Sequence, residues 1–164
     1  SKKSLFSLDI QDVRCEVCND WVLQHKCHVE MVDNNTYAFS FLIALNRELP
    51  PNTYVRILVD VRPLGGQKVV HFLNMELKVC DALENLKTNP LVMVFLRKMI
   101  HHSNLPLACP IRKNVLYNIS DLSVNEELIP SYAPSTDFNV TLAFYQLGKY
   151  LGNVVCQGII KRLK

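Results

Sequence analysis

Apolar and polar residues alternate along most of this chain. Tyr37, Phe39, Phe41, Ile43 and Leu45 alternate with Ala38, Ser40, Leu42 and Ala44. Val55, Ile57, Val59 and Val61 alternate with Tyr54, Arg56, Leu58 and Asp60. Phe138, Val140, Leu142 and Phe144 alternate with Asn139, Thr141, Ala143 and Tyr145. Successive side chains of a strand point to opposite faces, so this period of two predicts strands with one buried face. Turn residues separate them: Asp33-Asn34-Asn35 before the strand at 37–45, then Pro50-Pro51-Asn52 and Pro63-Leu64-Gly65-Gly66 around the strand at 54–62. Further strands are expected near 5–15, 27–32, 69–79, 114–119 and 153–163. Short strands at this spacing indicate a mainly all-β sandwich or barrel.

One stretch departs from period two. From Asp81 to about His102 the chain reads as helix, interrupted at Pro90, with Asn89 placed to cap and Pro90 at the first helical position. Val92, Phe95, Leu96, Met99 and Ile100 then share one face, while Leu91, Met93 and Val94 lie off it and are also apolar. Such a helix carries more apolar surface than one packing face needs. It either sits deep against the strands or forms a lip over a greasy cavity. The apolar run Leu91–Leu96 is far shorter than the roughly 20 residues of a membrane span.

A length of 164 residues fits a single domain covering 1–164, with enough chain to bury a true core. Hydrophobic residues make up 49% and charged residues 20%, a globular balance. The net charge is +3, and Lys2, Lys3, Lys161, Arg162 and Lys164 supply cations at the two ends. That distribution gives no nucleic-acid footprint.

The cysteines are Cys15, Cys18, Cys27, Cys80, Cys109 and Cys156, an even count that reads as disulfides in a secreted chain. The sequons at Asn34, Asn118 and Asn139 agree with secretion and with glycosylation. Asn139 falls on the outward side of its strand, Asn118 lies opposite Tyr117 and Ile119, and Asn34 is in a turn, so each is sterically usable. The start at Ser1 is expected of a processed chain. Cys15, Cys18, Cys27 and His28 could instead form a zinc set, but tight zinc modules sit in turns of small domains and these cysteines lie among strand residues. The Cys-x-x-Cys spacing resembles a redox motif without the βαβ surroundings. There is no Gly-x-Ser-x-Gly elbow and no phosphate-cradling glycine loop in the sequence. His101 and His102 are adjacent and diverge on a helix, which suits the helix C-terminal dipole better than joint metal binding. No catalytic residue, metal or cofactor is expected.

Several segments occur in a familiar order: Val79-Cys80-Asp81-Ala82-Leu83, an apolar helical stretch, Leu107-Ala108-Cys109-Pro110-Ile111, then Asn114-Val115-Leu116-Tyr117-Asn118-Ile119. Phe138 to Phe144, Gly148-Lys149-Tyr150-Leu151-Gly152 and Cys156 follow, and Cys15 and Cys27-His28-Val29 precede. This order resembles the GM2-activator-like branch of the MD-2-related lipid-recognition proteins. It is most similar to the insect DUF1091 group, which includes the CheB chemosensory proteins. The resemblance implies an immunoglobulin-like β-cup whose sheets part to admit lipid, with the helical segment on the rim. It implies the pairs Cys80–Cys109, Cys15–Cys27 and Cys18–Cys156, with Cys15 and Cys18 able to exchange partners. It also implies an extracellular protein that helps detect lipid-like contact pheromones. Other members of the wider family extract lipid for a hydrolase, carry sterols or assist reception of lipid signals.

The expected activity is therefore binding of a lipid or small hydrophobic molecule by desolvation, at about 0.8 kcal/mol per buried CH₂. Phe39, Phe41, Ile43, Val59, Leu73, Met75, Leu77, Phe138, Leu142 and Phe144 are the expected wall. Val92, Phe95, Leu96 and Met99 are the expected rim. A membrane receptor or membrane surface is a further expected partner, and nucleic acid is not. The competing reading is a secreted protein–protein module or co-receptor with a solid core, whose helix docks on a partner. A hydrolase is a third class, without a nucleophile constellation to carry it.

Overall fold

A computed structural model describes residues 4–18, 20–66, 68–84 and 90–163. In chain order the elements are β1 (Phe6–Val17), β2 (Val22–Asp33), β3 (Thr36–Leu45), β4 (Thr53–Pro63), β5 (Val70–Lys78), α1 (Val79–Glu84), α2 (Pro90–His101), β6 (Leu116–Asn125), a 3₁₀ turn (Glu126–Leu128), β7 (Thr136–Gln146) and β8 (Lys149–Arg162). The strands form two antiparallel sheets, a five-stranded one in the order β1-β8-β7-β4-β5 and a three-stranded one in the order β2-β3-β6. The fold is all-β with short helical segments.

The expected strands are present, and local chemistry explains their ends. The β2–β3 hairpin turns at Asn34-Asn35, with Asn35 at φ 55°, a conformation asparagine tolerates better than most residues. Between β4 and β5, Gly65 at φ 84° and a Gly66 N–H to Pro63 carbonyl bond of 2.9 Å make a type II turn. The β7–β8 loop is the two residues Leu147 and Gly148, at φ 50° and 74°, a type I′ turn that matches strand twist.

Several boundaries differ from the sequence reading, among them that of β8, which begins at Lys149 and not near residue 153. β2 begins at Val22 and not near residue 27, because its polar first half lies on a free edge where period two carries little signal. β6 continues past residue 119 to Asn125: the chain bulges opposite Ser40, with Asp121 at φ 53° and its N–H on Ser40 Oγ at 3.2 Å. α1 starts at Val79, and α2 starts at Pro90 as expected, while Asn89 lies outside the described residues.

The sheets face each other across an apolar interior with three linked clusters. Leu8, Tyr37, Phe39 and Leu122 form the first, where β1, β8 and β7 oppose β3 and β6. Leu45, Leu83, Ile111 and Tyr117 form the second, where α1 and the segment before β6 close one end. Val55, Ile57 and Leu96 form the third, where the five-stranded sheet faces α2 in place of a strand.

Two disulfides fix this arrangement. Cys15 of β1 is bonded to Cys27 of β2, so the bridge joins the two sheets along one edge, with Cα atoms 6.3 Å apart. Cys80 of α1 is bonded to Cys109, which ties the helix to the loop before β6. Both are pairs that the resemblance implies, and the first removes the thiolates a zinc or redox site would need.

The Cys18–Cys156 pair is corrected, since both residues are free thiols. The Cys18 N–H bonds to the Leu151 carbonyl at 2.9 Å, which sets Cys18 beside Leu151 on β8. Cys156 lies opposite Val13, five positions further along that strand. At roughly 3.3 Å per residue the two are about 17 Å apart. A disulfide requires Cα atoms within roughly 7 Å.

Candidate functional site

The space between the sheets is the candidate site, and α2 determines its shape. Three of its side chains point inward. Leu96 is buried against Val55 and Ile57, Phe95 packs on the first cluster, and Met99 packs on both the first and the third. The helix end is then fastened to the opposite sheet. Lys98 Nζ donates to the Ser123 carbonyl at 3.3 Å, Ser103 bridges Ile119, and the Ser120 N–H donates to the His102 carbonyl at 2.8 Å. Asn104 completes the clamp, its Nδ2 donating to the Leu116 carbonyl at 3.0 Å and its Oδ1 accepting from the Asn118 N–H at 2.7 Å. So α2 inserts apolar side chains toward one sheet while being hydrogen-bonded to the edge of the other. It acts as a wedge.

Burial within the interior is uneven. Leu122, Tyr37 and Phe39 are 1%, 5% and 7% exposed, as in a sealed core. Of the expected wall and rim residues, Phe39 and Leu96 are buried in this way. Phe41, Ile43, Val59, Leu73, Met75, Leu77, Phe95, Met99, Phe138, Leu142 and Phe144 are half-buried. They nevertheless face inward, packed on the clusters, apart from Val59, which follows Val55 and Ile57 on the same side of β4. Phe39 and Phe41 stack with centroids 6.2 Å apart. A close-packed interior would seal such residues. Here the inward faces keep surface that water can reach. The backbone of Val92 lies in α2 and its side chain is outside the described residues.

The structure brings the expected residues together in two groups. Phe39, Phe41, Phe138, Phe95 and Met99 meet in the first cluster, and Leu73, Met75, Leu77, Leu142, Phe144, Leu96 and Met99 meet in the third. Ile43 stands apart, on the second cluster at the closed end. Sequence reasoning assigned Cys156 to a disulfide and missed its place in the wall, where it packs on the first cluster. Its thiol is pushed up to about 12, chiefly by burial and secondarily by the negative charge of Asp12, so it is a neutral part of the wall at physiological pH. Its place on the inward side of β8, next to Val154 and Gly158 in period two, was a usable signal.

The polar candidates lie outside. His101 and His102 are exposed at the end of α2. Asn34 is exposed in the β2–β3 turn. Asn118 and Asn139 are half-buried on β6 and β7, and each sits close to the hydroxyl of its own sequon: Ser120 Oγ donates to Asn118 Oδ1 at 3.4 Å, and Asn139 Nδ2 donates to Thr141 Oγ1 at 3.4 Å. Among the described residues no helix is long and apolar enough to cross a membrane.

A family model described as "Protein of unknown function (DUF1091)" matches residues 44–140, a span that runs from the end of β3 into β7 and includes both helices and the Cys80–Cys109 bridge. No curated protein matches the chain.

Proposed function

This chain belongs to the DUF1091 family, and we propose that it is a secreted carrier that takes up a lipid or other small hydrophobic molecule between its sheets. One observation carries this reading: inward-facing apolar side chains on β3, β4, β5, β7 and α2 remain partly accessible beside a helix whose side chains reach into the space between the sheets. A ligand lodged there would cover that surface, and each CH₂ removed from water would contribute about 0.8 kcal/mol. Two disulfides favour an oxidising, extracellular setting, and glycans on Asn34, Asn118 and Asn139 would agree with it. The resemblance to the GM2-activator-like and CheB-like proteins extends the proposal to a role in chemosensory detection of a contact pheromone, with a membrane receptor or membrane surface receiving the cargo.

The test is native mass spectrometry of protein secreted from a eukaryotic host, followed by organic extraction and identification of what is released. A bound fatty acid, hydrocarbon or phospholipid that is lost in Phe41→Asp and Phe95→Asp variants supports the carrier. A clean apo mass and no uptake of added lipids by folded protein would overturn it and favour the secreted docking module.

A further inference from the structure

The outer face of the five-stranded sheet has its own pattern. Strand register sets four side chains in one row: Lys78 of β5 opposite Tyr54 of β4, Tyr54 opposite Tyr145 of β7, and Tyr145 opposite Tyr150 of β8. Tyr145 and Tyr150 have ring centroids 5.7 Å apart, and Lys78 Nζ lies 6.0 Å from the Tyr54 centroid. The next row on the same face runs Glu76, Arg56, Ala143, Asn153, Glu16. The small Ala143 lies between the long Arg56 and Asn153, whose Oδ1 is buried without a hydrogen-bond partner. A groove of about 500 Å³ runs beside Tyr54 and Tyr145, lined also by Asn52, Arg56, Glu76 and Leu147.

Leu147 is the second, independent observation. It occupies the first central position of the type I′ turn at φ 50° and is 79% exposed. Asparagine or glycine adopts this conformation with less strain, and a leucine there also presents an apolar side chain to water. Strain held at an exposed position beside a groove is an indication of function and has no packing benefit to explain it.

We infer that this tyrosine-rowed groove is a binding site for a neutral saccharide. The volume falls within the roughly 300–1,000 Å³ of small-molecule sites. The charges that line it are balanced, Arg56 against Glu76, so a ligand of either sign meets repulsion as well as attraction. A polyhydroxylated neutral ring does not. Its hydroxyls can accept from Arg56 and Asn52 and donate to Glu76, while its C–H faces lie on the rings of Tyr54 and Tyr145 and on Leu147. Tyrosine suits this work because it offers an apolar ring and a polar tip together. The site is on the opposite side of the sheet from the apolar interior and does not depend on the carrier reading. Asn139 lies on the same face, six residues from Tyr145 along β7, or about 20 Å, so a glycan there leaves the groove open or reaches it.

The test is an NMR titration of the folded protein with cellobiose, lactose and N,N′-diacetylchitobiose, following the tyrosine ring signals. Millimolar binding that moves Tyr54, Tyr145 and Tyr150 is expected, weakened at least tenfold in Tyr145→Ala and in Arg56→Gln. Leu147→Asn is expected to weaken binding while raising the melting temperature, which separates loss of the site from loss of the fold. Weaker uptake by glycosylated than by glycan-free protein identifies the chain's own glycan as the occupant, and equal uptake identifies an external sugar. No tyrosine response to any of the sugars at about 50 mM, or a response confined to interior residues, overturns the proposal, as does protection of these tyrosines by a protein partner alone.

Discussion

Asn35 holds Leu8 across the gap between the sheets. Its Oδ1 accepts from the Leu8 N–H at 3.0 Å, and its Nδ2 donates to the neighbouring Phe6 carbonyl at 3.0 Å. β1 is the outer strand of its sheet, so these backbone groups face away from β8 with no strand beside them. The asparagine amide stands in for one link of a missing strand, and Tyr37 adds another by donating its hydroxyl to the Leu8 carbonyl at 3.3 Å. A side chain from the β2–β3 turn thereby satisfies an edge that would otherwise be open to pairing with another chain.

Asn35→Ala removes both hydrogen bonds and places alanine at φ 55°. The expected loss is about 2–3 kcal/mol, near 1 kcal/mol per bond plus a backbone share. Asn35→Gly keeps the backbone freedom and loses only the bonds, so it should be the milder of the two. Urea denaturation of the two variants checks the order, and equal losses would show that the amide, and not the turn backbone, is what matters.

The thiol inventory is a direct expectation. Two cysteines, Cys18 and Cys156, should react with an alkylating reagent and the other four should not. Cys18 should react in the native protein, and Cys156 only after unfolding, because burial first, and Asp12 second, raise its thiol to about 12. The same shift gives a pH dependence. From the ordinary value of 9.0 up to about 12 the unfolded chain releases this proton and the folded one keeps it. Stability should therefore fall as pH rises through that window and be indifferent to this group below it. Peptide mapping of labelled sites and melting curves in alkali test the two parts. Loss of this alkaline slope in Cys156→Ser is expected.

Gly158 is a packing position. A methyl group there would meet the Asp9 carbonyl oxygen and lie 2.6 Å from Phe138 Cζ. Gly158→Ala should force Phe138 away from β8 and destabilise the fold by about 1–3 kcal/mol. A shift of ring signals of Phe138 together with a lowered denaturation midpoint is the expected pair of changes, while an unchanged midpoint would mean that the β1–β8 edge yields instead.

Met99 touches both the cluster between the sheets and the cluster under α2. Met99→Trp adds bulk where inward side chains are still accessible. It should reduce uptake of a hydrophobic probe severalfold at nearly unchanged stability. If that space is already filled, the same substitution should instead cost about 1–3 kcal/mol from overpacking, so probe binding and denaturation together separate the carrier from the solid-core module.

The sequence carried the strands because aromatic and β-branched residues mark the inward side at period two, from Tyr37 to Leu45 and from Phe138 to Phe144. It carried α2 because Pro90 marks its start and Phe95, Leu96 and Met99 recur at helical spacing. It could not carry register. Cys18 and Cys156 look like natural partners on a list of cysteines, and only the hydrogen bond from Cys18 to Leu151 reveals how far apart they lie. The row of Tyr54, Tyr145 and Tyr150 was illegible for the same reason, since these residues are joined by alignment of three strands and not by any motif. The expected strand at 114–119 stops short of Asn125 because the polar Ser120 and Asp121 break the alternation where the strand bulges. The likeness of the wall residues to an ordinary core was also inherent: alternation says which way a side chain points and nothing about how tightly the space opposite is filled.

The Cys15–Cys27 bond makes the sandwich mechanically lopsided. One long edge, at β1 and β2, is stapled covalently in mid-strand, while the far edge, at β5, is tied covalently only past its end, where Cys80 of α1 bonds Cys109, and along its length relies on the non-covalent contacts and hydrogen bonds of α2. A structure built this way has a spine and a free margin. Thermal opening of the sheets must pivot on the stapled side and be widest along β5 and α2. Amide exchange should be fastest there, and any molecule entering or leaving the interior would pass that margin first, without rupture of a single covalent bond.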